Sequence, residues 1–176
     1  MRNVVLYIAA TIDGYIAKEN GDVAWLHEAG GNESYGYEEF YETVDTIFMG
    51  RKTYEQVLTF GEFPYKGKKC FVVTSSPRTD TLNEDIAFIS PQEVSPTIKK
   101  LKEADGNKIW LIGGGALIQL FQQEHLIDEY MLFIVPLILG NGIPLFKNVN
   151  DQSVLVLTHQ KSYESGFIEL HYKPKG

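Results

Sequence analysis

The sequence predicts an α/β fold in three layers, with a mostly parallel central sheet, an antiparallel C-terminal hairpin and about four flanking helices. Three observations carry this. Residues 4–10 are an almost unbroken apolar run, the pattern of a strand buried on both faces. Apolar runs at 46–49 and 109–112 each pass through glycine into a helical pattern, the order of a strand, a loop and a helix. Near the end, 154–163 and 167–172 flank Glu164, Ser165 and Gly166, a hairpin signal.

Composition bounds the rest. The 176 residues contain no Pro, Gly or Ser-rich linker, so 1–176 reads as one domain. A hydrophobic share of 44%, with ten Phe and ten Tyr, is enough for a packed interior. A net charge of −7 argues against a nucleic-acid partner, because a phosphate backbone rewards clustered Lys and Arg. Lys66, Lys68 and Lys69 read as a solvated hairpin edge. Cys70 is the one cysteine and His27, His125, His159 and His171 stand apart, so neither a disulfide nor a metal site is expected. With no signal-peptide pattern and no membrane-length apolar run, the expected compartment is the cytoplasm.

Taken in order, the first strand ends in Thr11, Ile12, Asp13 and Gly14, which puts a carboxylate at a strand end. Trp25 and Leu26 form an apolar island that suits either core or pocket wall. From Tyr37, the spacing of Phe40, Tyr41 and Val44 predicts a helix whose Glu38, Glu39 and Glu42 face water. The strand at 46–49 meets Gly50, Arg51, Lys52 and Thr53, then a helix carrying Tyr54, Val57 and Leu58. Glycine permits close approach, the two cations supply charge and the hydroxyl lies beside free helix N–H groups, a combination suited to phosphate. Gly61 and Gly67-Lys68 imitate a nucleoside-triphosphate loop, but five residues separate the glycines and a strand follows.

That strand, 69–74, ends in Thr74, Ser75, Ser76, Pro77 and Arg78, a third polar cluster. A short strand at 86–89 precedes two helix-start signals, Ser90-Pro91 and Ser95-Pro96, and an inner stripe of Val94, Ile98 and Leu101. The strand at 109–112 runs into Gly113, Gly114 and Gly115, whose N–H groups can face phosphate oxygens at the positive end of the next helix. There Leu117, Leu120 and Phe121 face inward. The apolar strand 128–139 is interrupted at Pro136, which predicts an edge position or a bulge.

Five motifs in order, VVLYIAATIDGYIA, MGRKTYE, FVVTSS, IWLIGGGALI and DEYMLFIVPLILGNGIPLF, resemble the dihydrofolate-reductase-like pyridine-nucleotide reductases over nearly the whole chain. The last motif and Asp13-Gly14 are most similar to the riboflavin-biosynthesis reductase (RibD C-terminal) domain and its stand-alone bacterial relatives. The resemblance implies NADPH as cofactor, a small heterocyclic substrate such as 5-amino-6-(5-phosphoribosylamino)uracil, and a homodimer. It places Ala9 and Ile16 beside the nicotinamide. Gly50, Arg51, Lys52 and Thr53 would hold the pyrophosphate and the adenosine-side phosphate, Thr74, Ser75 and Ser76 the adenosine ribose. Gly113, Gly114, Gly115, Ala116 and Leu117 would form the diphosphate loop. Arg51, with Ser75, Ser76 or Arg78, favours NADPH over NADH because a guanidinium pairs an extra phosphate bidentately.

Hydride transfer needs an oriented nicotinamide and a dry pocket more than side-chain chemistry. Asp13 is the candidate for polarising, protonating or binding the acceptor, and Trp25, Phe40 and Tyr54 are candidate pocket walls. Two departures stand out. Gly30 falls where dihydrofolate reductases carry a pterin-binding carboxylate, and Ile112 where the riboflavin-pathway reductases commonly carry Glu. Glu28, Glu38 and Glu39 lie close enough in sequence to serve instead. The alternatives are therefore a nucleotide-binding module without catalysis, or a dihydrofolate or pterin reductase.

Overall fold

The first apolar run becomes β1 (Val4–Thr11), and its burial dictates the layout around it. In the computed structural model, which describes residues 1–30, 33–76, 84–149 and 152–176, Val4, Val5 and Leu6 are wholly buried. A strand without a polar side must be covered on both faces, so it lies inside the sheet. A turn leads to β2 (Tyr15–Ala17), followed by two six-residue helices, α1 (Ala24–Ala29) and α2 (Tyr37–Glu42). β3 (Val44–Gly50) runs directly into α3 (Arg51–Thr59). β4 (Lys69–Val73) and β5 (Ile86–Ile89) precede α4 (Pro91–Glu103), and β6 (Lys108–Gly113) runs into α5 (Gly115–Gln123). β7 (Glu129–Val135), the short β8 (Ile143–Pro144) and the hairpin of β9 (Leu155–Ser162) and β10 (Ile168–Pro174) complete the chain.

The main sheet has the order β5-β4-β3-β6-β1-β7-β10-β9, and β2 pairs with β8 in a separate ribbon. From β5 to β7 every pairing is parallel; β10 and β9 are antiparallel. Alternation along β1 divides the core. Val4, Leu6 and Ala10 face Val94 and Ile98 of α4 and Leu117, Ile118 and Phe121 of α5. On the other face Val5 and Tyr7 pack with Phe40 of α2 and Tyr54 and Val57 of α3. Ala9, on that second face, joins a smaller group with Trp25 of α1, Val135 and Phe167. This is the expected three-layer fold, with five helices among the described residues; α1 is the one the sequence pattern left as an apolar island.

Three local expectations are corrected. β7 is internal, between β1 and β10, because Pro136 lies one residue past Val135 and its missing N–H falls outside the ladder. Ser95-Pro96 starts nothing: Pro96 lies inside α4, whose cap is Ser90, with the Glu93 carboxylate accepting from the Ser90 N–H at 2.7 Å. Lys66, Lys68 and Lys69 form no hairpin edge, since β4 pairs in parallel with β3. Lys68 donates instead to the carbonyl of Val44 at 2.6 Å and lies over the Tyr41 ring.

Candidate functional site

Parallel strands end together, and that brings the predicted segments to one rim. Gly50 pairs with Val73 and Met49 with Gly113, so the ends of β3, β4 and β6 are level neighbours. Gly50 caps α3 and Gly114 caps α5, which aims two helix N-termini at the same rim. The contact is close. A Cβ added to Gly114 would fall 3.2 Å from Thr53 Oγ1 and 3.8 Å from Gly50 Cα, and its φ of +88° also excludes most side chains. Thr74 is held behind them, its N–H donating to the Ile89 carbonyl at 2.9 Å, with Ser75 and Ser76 exposed beyond it.

Other candidates divide by position. Arg51 and Lys52 are exposed at the start of α3, and Arg51 Nε donates to Glu55 at 2.8 Å, so its terminal nitrogens face outward from that pair. Ala116 is exposed, whereas the side chain of Leu117 is buried in the core, leaving its main chain for the rim. Arg78 lies outside the described residues. Ala9 and Ile16 both lie at the outlet of β1, but on opposite faces: Ala9 packs with Trp25 and Ile16 against the α4 and α5 side. The β2–β8 ribbon roofs this outlet. A Cβ on Gly115 would lie 2.9 Å from Ile143 Cγ2, and one on Gly142 only 2.3 Å from the Ala17 carbonyl oxygen.

Asp13 holds that roof. Its carboxylate accepts from Thr11 Oγ1 at 2.6 Å and from the N–H groups of Leu139 at 3.1 Å and Gly140 at 2.7 Å. The Thr11 hydroxyl first, then the backbone donors, hold its pKa below the ordinary carboxylate value. A group kept ionised in this way is a poor proton donor at neutral pH and a good loop clamp.

All three wall candidates lie on the second face of the sheet, two beside β1 and one farther along it. Phe40 stacks on Tyr7 at 4.2 Å, and Trp25 is 4% exposed beside Ala9. The buried indole N–H of Trp25 has no hydrogen-bond partner among the described residues. Tyr54 packs edge-on against Phe63 and Phe88 over β4 and β5, away from that wall. Glu28, Glu38 and Glu39 are all exposed, as a solvated helix face would be.

The carboxylate that the β1 face does hold was missed from sequence. Glu169 of β10 is buried, pairs in register with Phe133, which itself pairs with Ala9, and so shares their face. One of its oxygens accepts from the Tyr163 hydroxyl at 2.6 Å, and the other lies 2.6 Å from His171 Nε2. Burial and that bond to Glu169 drive the Tyr163 pKa up; burial, then the charge of Glu169, does the same to Tyr7. In sequence Glu169 alternates with Ile168 and Leu170, the ordinary pattern of a half-exposed strand. The one hint was Phe167, an aromatic residue on the same parity.

The profile of the RibD C-terminal domain family matches residues 2–168. The chain belongs to that family. It is also 41% identical to the Bacillus subtilis (strain 168) protein YwjB over 172 residues, 97% of each chain. Among solved structures, a Shewanella sp. PV-4 protein ascribed to riboflavin biosynthesis superposes with a TM-score of 0.88 at 30% identity, covering 100% of both chains. A Thermotoga maritima diaminohydroxyphosphoribosylaminopyrimidine deaminase/5-amino-6-(5-phosphoribosylamino)uracil reductase shares the fold, with a TM-score of 0.73 at 18% identity; the match covers 99% of this chain and 57% of that one.

Proposed function

We propose that this RibD C-terminal domain transfers hydride from NADPH to a small nitrogen heterocycle, of which 5-amino-6-(5-phosphoribosylamino)uracil is the type. The observation that carries the reading is the shared rim: Gly50 to Thr53, Thr74 to Ser76 and Gly113 to Leu117 lie at the level ends of adjacent parallel strands, where a Cβ on Gly114 would lie 3.8 Å from Gly50 Cα. An extended dinucleotide needs such a row of backbone N–H groups and small residues. NADPH, when bound, supplies the hydride; the chain's residues hold and orient it. Arg51 and Lys52 take the adenosine-side phosphate, Ala9 and Ile16 border the nicotinamide, and Trp25 and Phe40 form the wall for a flat acceptor. Asp13 acts by fixing the β2–β8 roof that keeps water out.

The test is cofactor oxidation by the purified chain against a panel of aminouracils, pterins and cyclic imines. Turnover of one of them supports the reading. Tight NADPH binding with no turnover on any would favour the second reading, a nucleotide-binding module without catalysis, which the clamped Asp13 and the apolar Ile112 support. The dihydrofolate alternative has less behind it, since Gly30 offers no carboxylate at the end of α1. We further propose a homodimer in the cytoplasm, joined through the uncovered end of the sheet where Val156, Leu157 and Ile168 are 47%, 45% and 43% exposed.

A further inference from the structure

We infer that His159 and His171 form a binding site for a divalent transition ion of the Zn2+ class, set across the C-terminal hairpin. The inference is independent of the reductase reading. The four histidines stand apart in sequence and give no ligand spacing, which is why no metal was expected; the pairing of β9 with β10 changes this for two of them. His159 and His171 are direct cross-strand partners, on the face that His171 shares with Glu169. Their ring centres are 4.8 Å apart, with the planes inclined at 52°. Two imidazoles that bind one Zn2+ through nitrogens at about 2.1 Å, at a near-tetrahedral angle, place their ring centres about 5 Å apart. The pair therefore stands close to ligand geometry already.

The surroundings suit an ion. His171 Nε2 lies 2.6 Å from one oxygen of Glu169, and the Tyr163 hydroxyl donates to the other at 2.6 Å. A carboxylate accepts, so Nε2 carries the hydrogen and the lone pair is left on Nδ1. Such an outer partner fixes the tautomer of a metal-binding imidazole and makes its ligand nitrogen more basic. On β9 the register shifts so that Thr158 is the extra residue, and its hydroxyl donates to the His171 carbonyl at 3.2 Å, which holds His159 opposite its partner. Two lysines of the same strands are drawn elsewhere: Lys161 lies over the Tyr163 ring at 4.4 Å, and Lys173 is 3.2 Å from Glu129. Among the described residues no third His, Cys, Asp or Glu completes a metal-holding group, and His159 is exposed, so the remaining coordination positions belong to water. Imidazole donors select Zn2+, Ni2+ or Cu2+ over Mg2+ and Ca2+. The bound ion would staple the edge strand β9 to β10.

The probe is Zn2+, titrated calorimetrically into the tag-free full-length chain, with Mg2+ as the control ion. One Zn2+ per chain is expected, with the ring resonances of His159 and His171 shifting in NMR while those of His27 and His125 stay in place. His159→Ala, a change at an exposed position, should weaken Zn2+ binding at least about tenfold. Zn2+ should also raise the melting temperature of the wild-type chain and not that of His159→Ala, as an ion held only by the folded hairpin must. Absence of Zn2+ binding at about 1 mM overturns the inference. So does Mg2+ binding of equal affinity, a shift confined to His27 or His125, or an unchanged Zn2+ affinity in His159→Ala.

Discussion

Arg51 and Asp13 were chosen from sequence for the same reason, a charge at a strand end, and the structure separates them. Arg51 spends Nε on Glu55, a bond that does not use its terminal nitrogens. Arg51→Ala is therefore expected to weaken NADPH by about tenfold and leave NADH unchanged in a fluorescence titration, as loss of one phosphate pair implies. An NADPH affinity equal in the wild-type chain and the variant would remove the adenosine-side phosphate from Arg51. Asp13 has a depressed pKa in the folded chain, so its contribution to stability is present above the ordinary carboxyl range near about 4 and is lost as pH falls through the folded value. The melting temperature followed by circular dichroism should drop below that range, and Asp13→Asn should flatten the drop while keeping NADPH binding. An unaltered acid profile would mean that the clamp contributes nothing. Sequence showed where both charges stand but not what Asp13 clamps, because two of its three donors are main-chain groups far along the chain at 139 and 140. Glu169 was illegible for a different reason: its partners Tyr163 and His171 are close in sequence, but its place beside Phe133 comes only when β10 pairs with β7.

Single elements were readable where the signal was local. The glycine runs gave both strand-to-helix junctions, and Ser90-Pro91 marked the true start of α4, where the structure adds the Glu93 cap. Ser90→Ala or Glu93→Ala should destabilise the fold by about 1 kcal/mol in chemical denaturation, the usual worth of such a cap. A neutral result would show that packing of Val94 and Ile98 alone fixes the helix. Proline misled because its meaning depends on the neighbours. Pro136 sits just outside the β7 ladder and Pro96 is carried by a helix already anchored at both ends in the core. The β2–β8 ribbon is too short to see in sequence, yet a Cβ added to Gly142 would lie only 2.3 Å from the Ala17 carbonyl oxygen. Gly142→Ala should displace the ribbon and lower the melting temperature; retention of both the midpoint and the cofactor affinity would deny the roof its role.

Across the whole molecule, the order of the sheet explains why distant motifs meet. β6 inserts between β3 and β1, so the glycine loop at 113–115 arrives between the two segments that precede it in sequence by about 60 and 100 residues. Alternation of strand and helix signals made the parallel sheet legible, but nothing in a single sequence states strand order, and the internal place of β7 was lost with it. The same order leaves β9 at a margin with exposed apolar side chains. Sedimentation should accordingly give twice the 19.9 kDa of one chain, and Leu157→Asp should shift it to the single mass. A monomer at all concentrations would remove the dimer. The most direct test of the central claim is a crystal structure with NADPH. One dinucleotide should lie along the rim, its pyrophosphate on Gly113 to Leu117, its extra phosphate at Arg51 and its nicotinamide beside Ala9. A dinucleotide seated elsewhere, or one that reverses end for end along the rim, would contradict it.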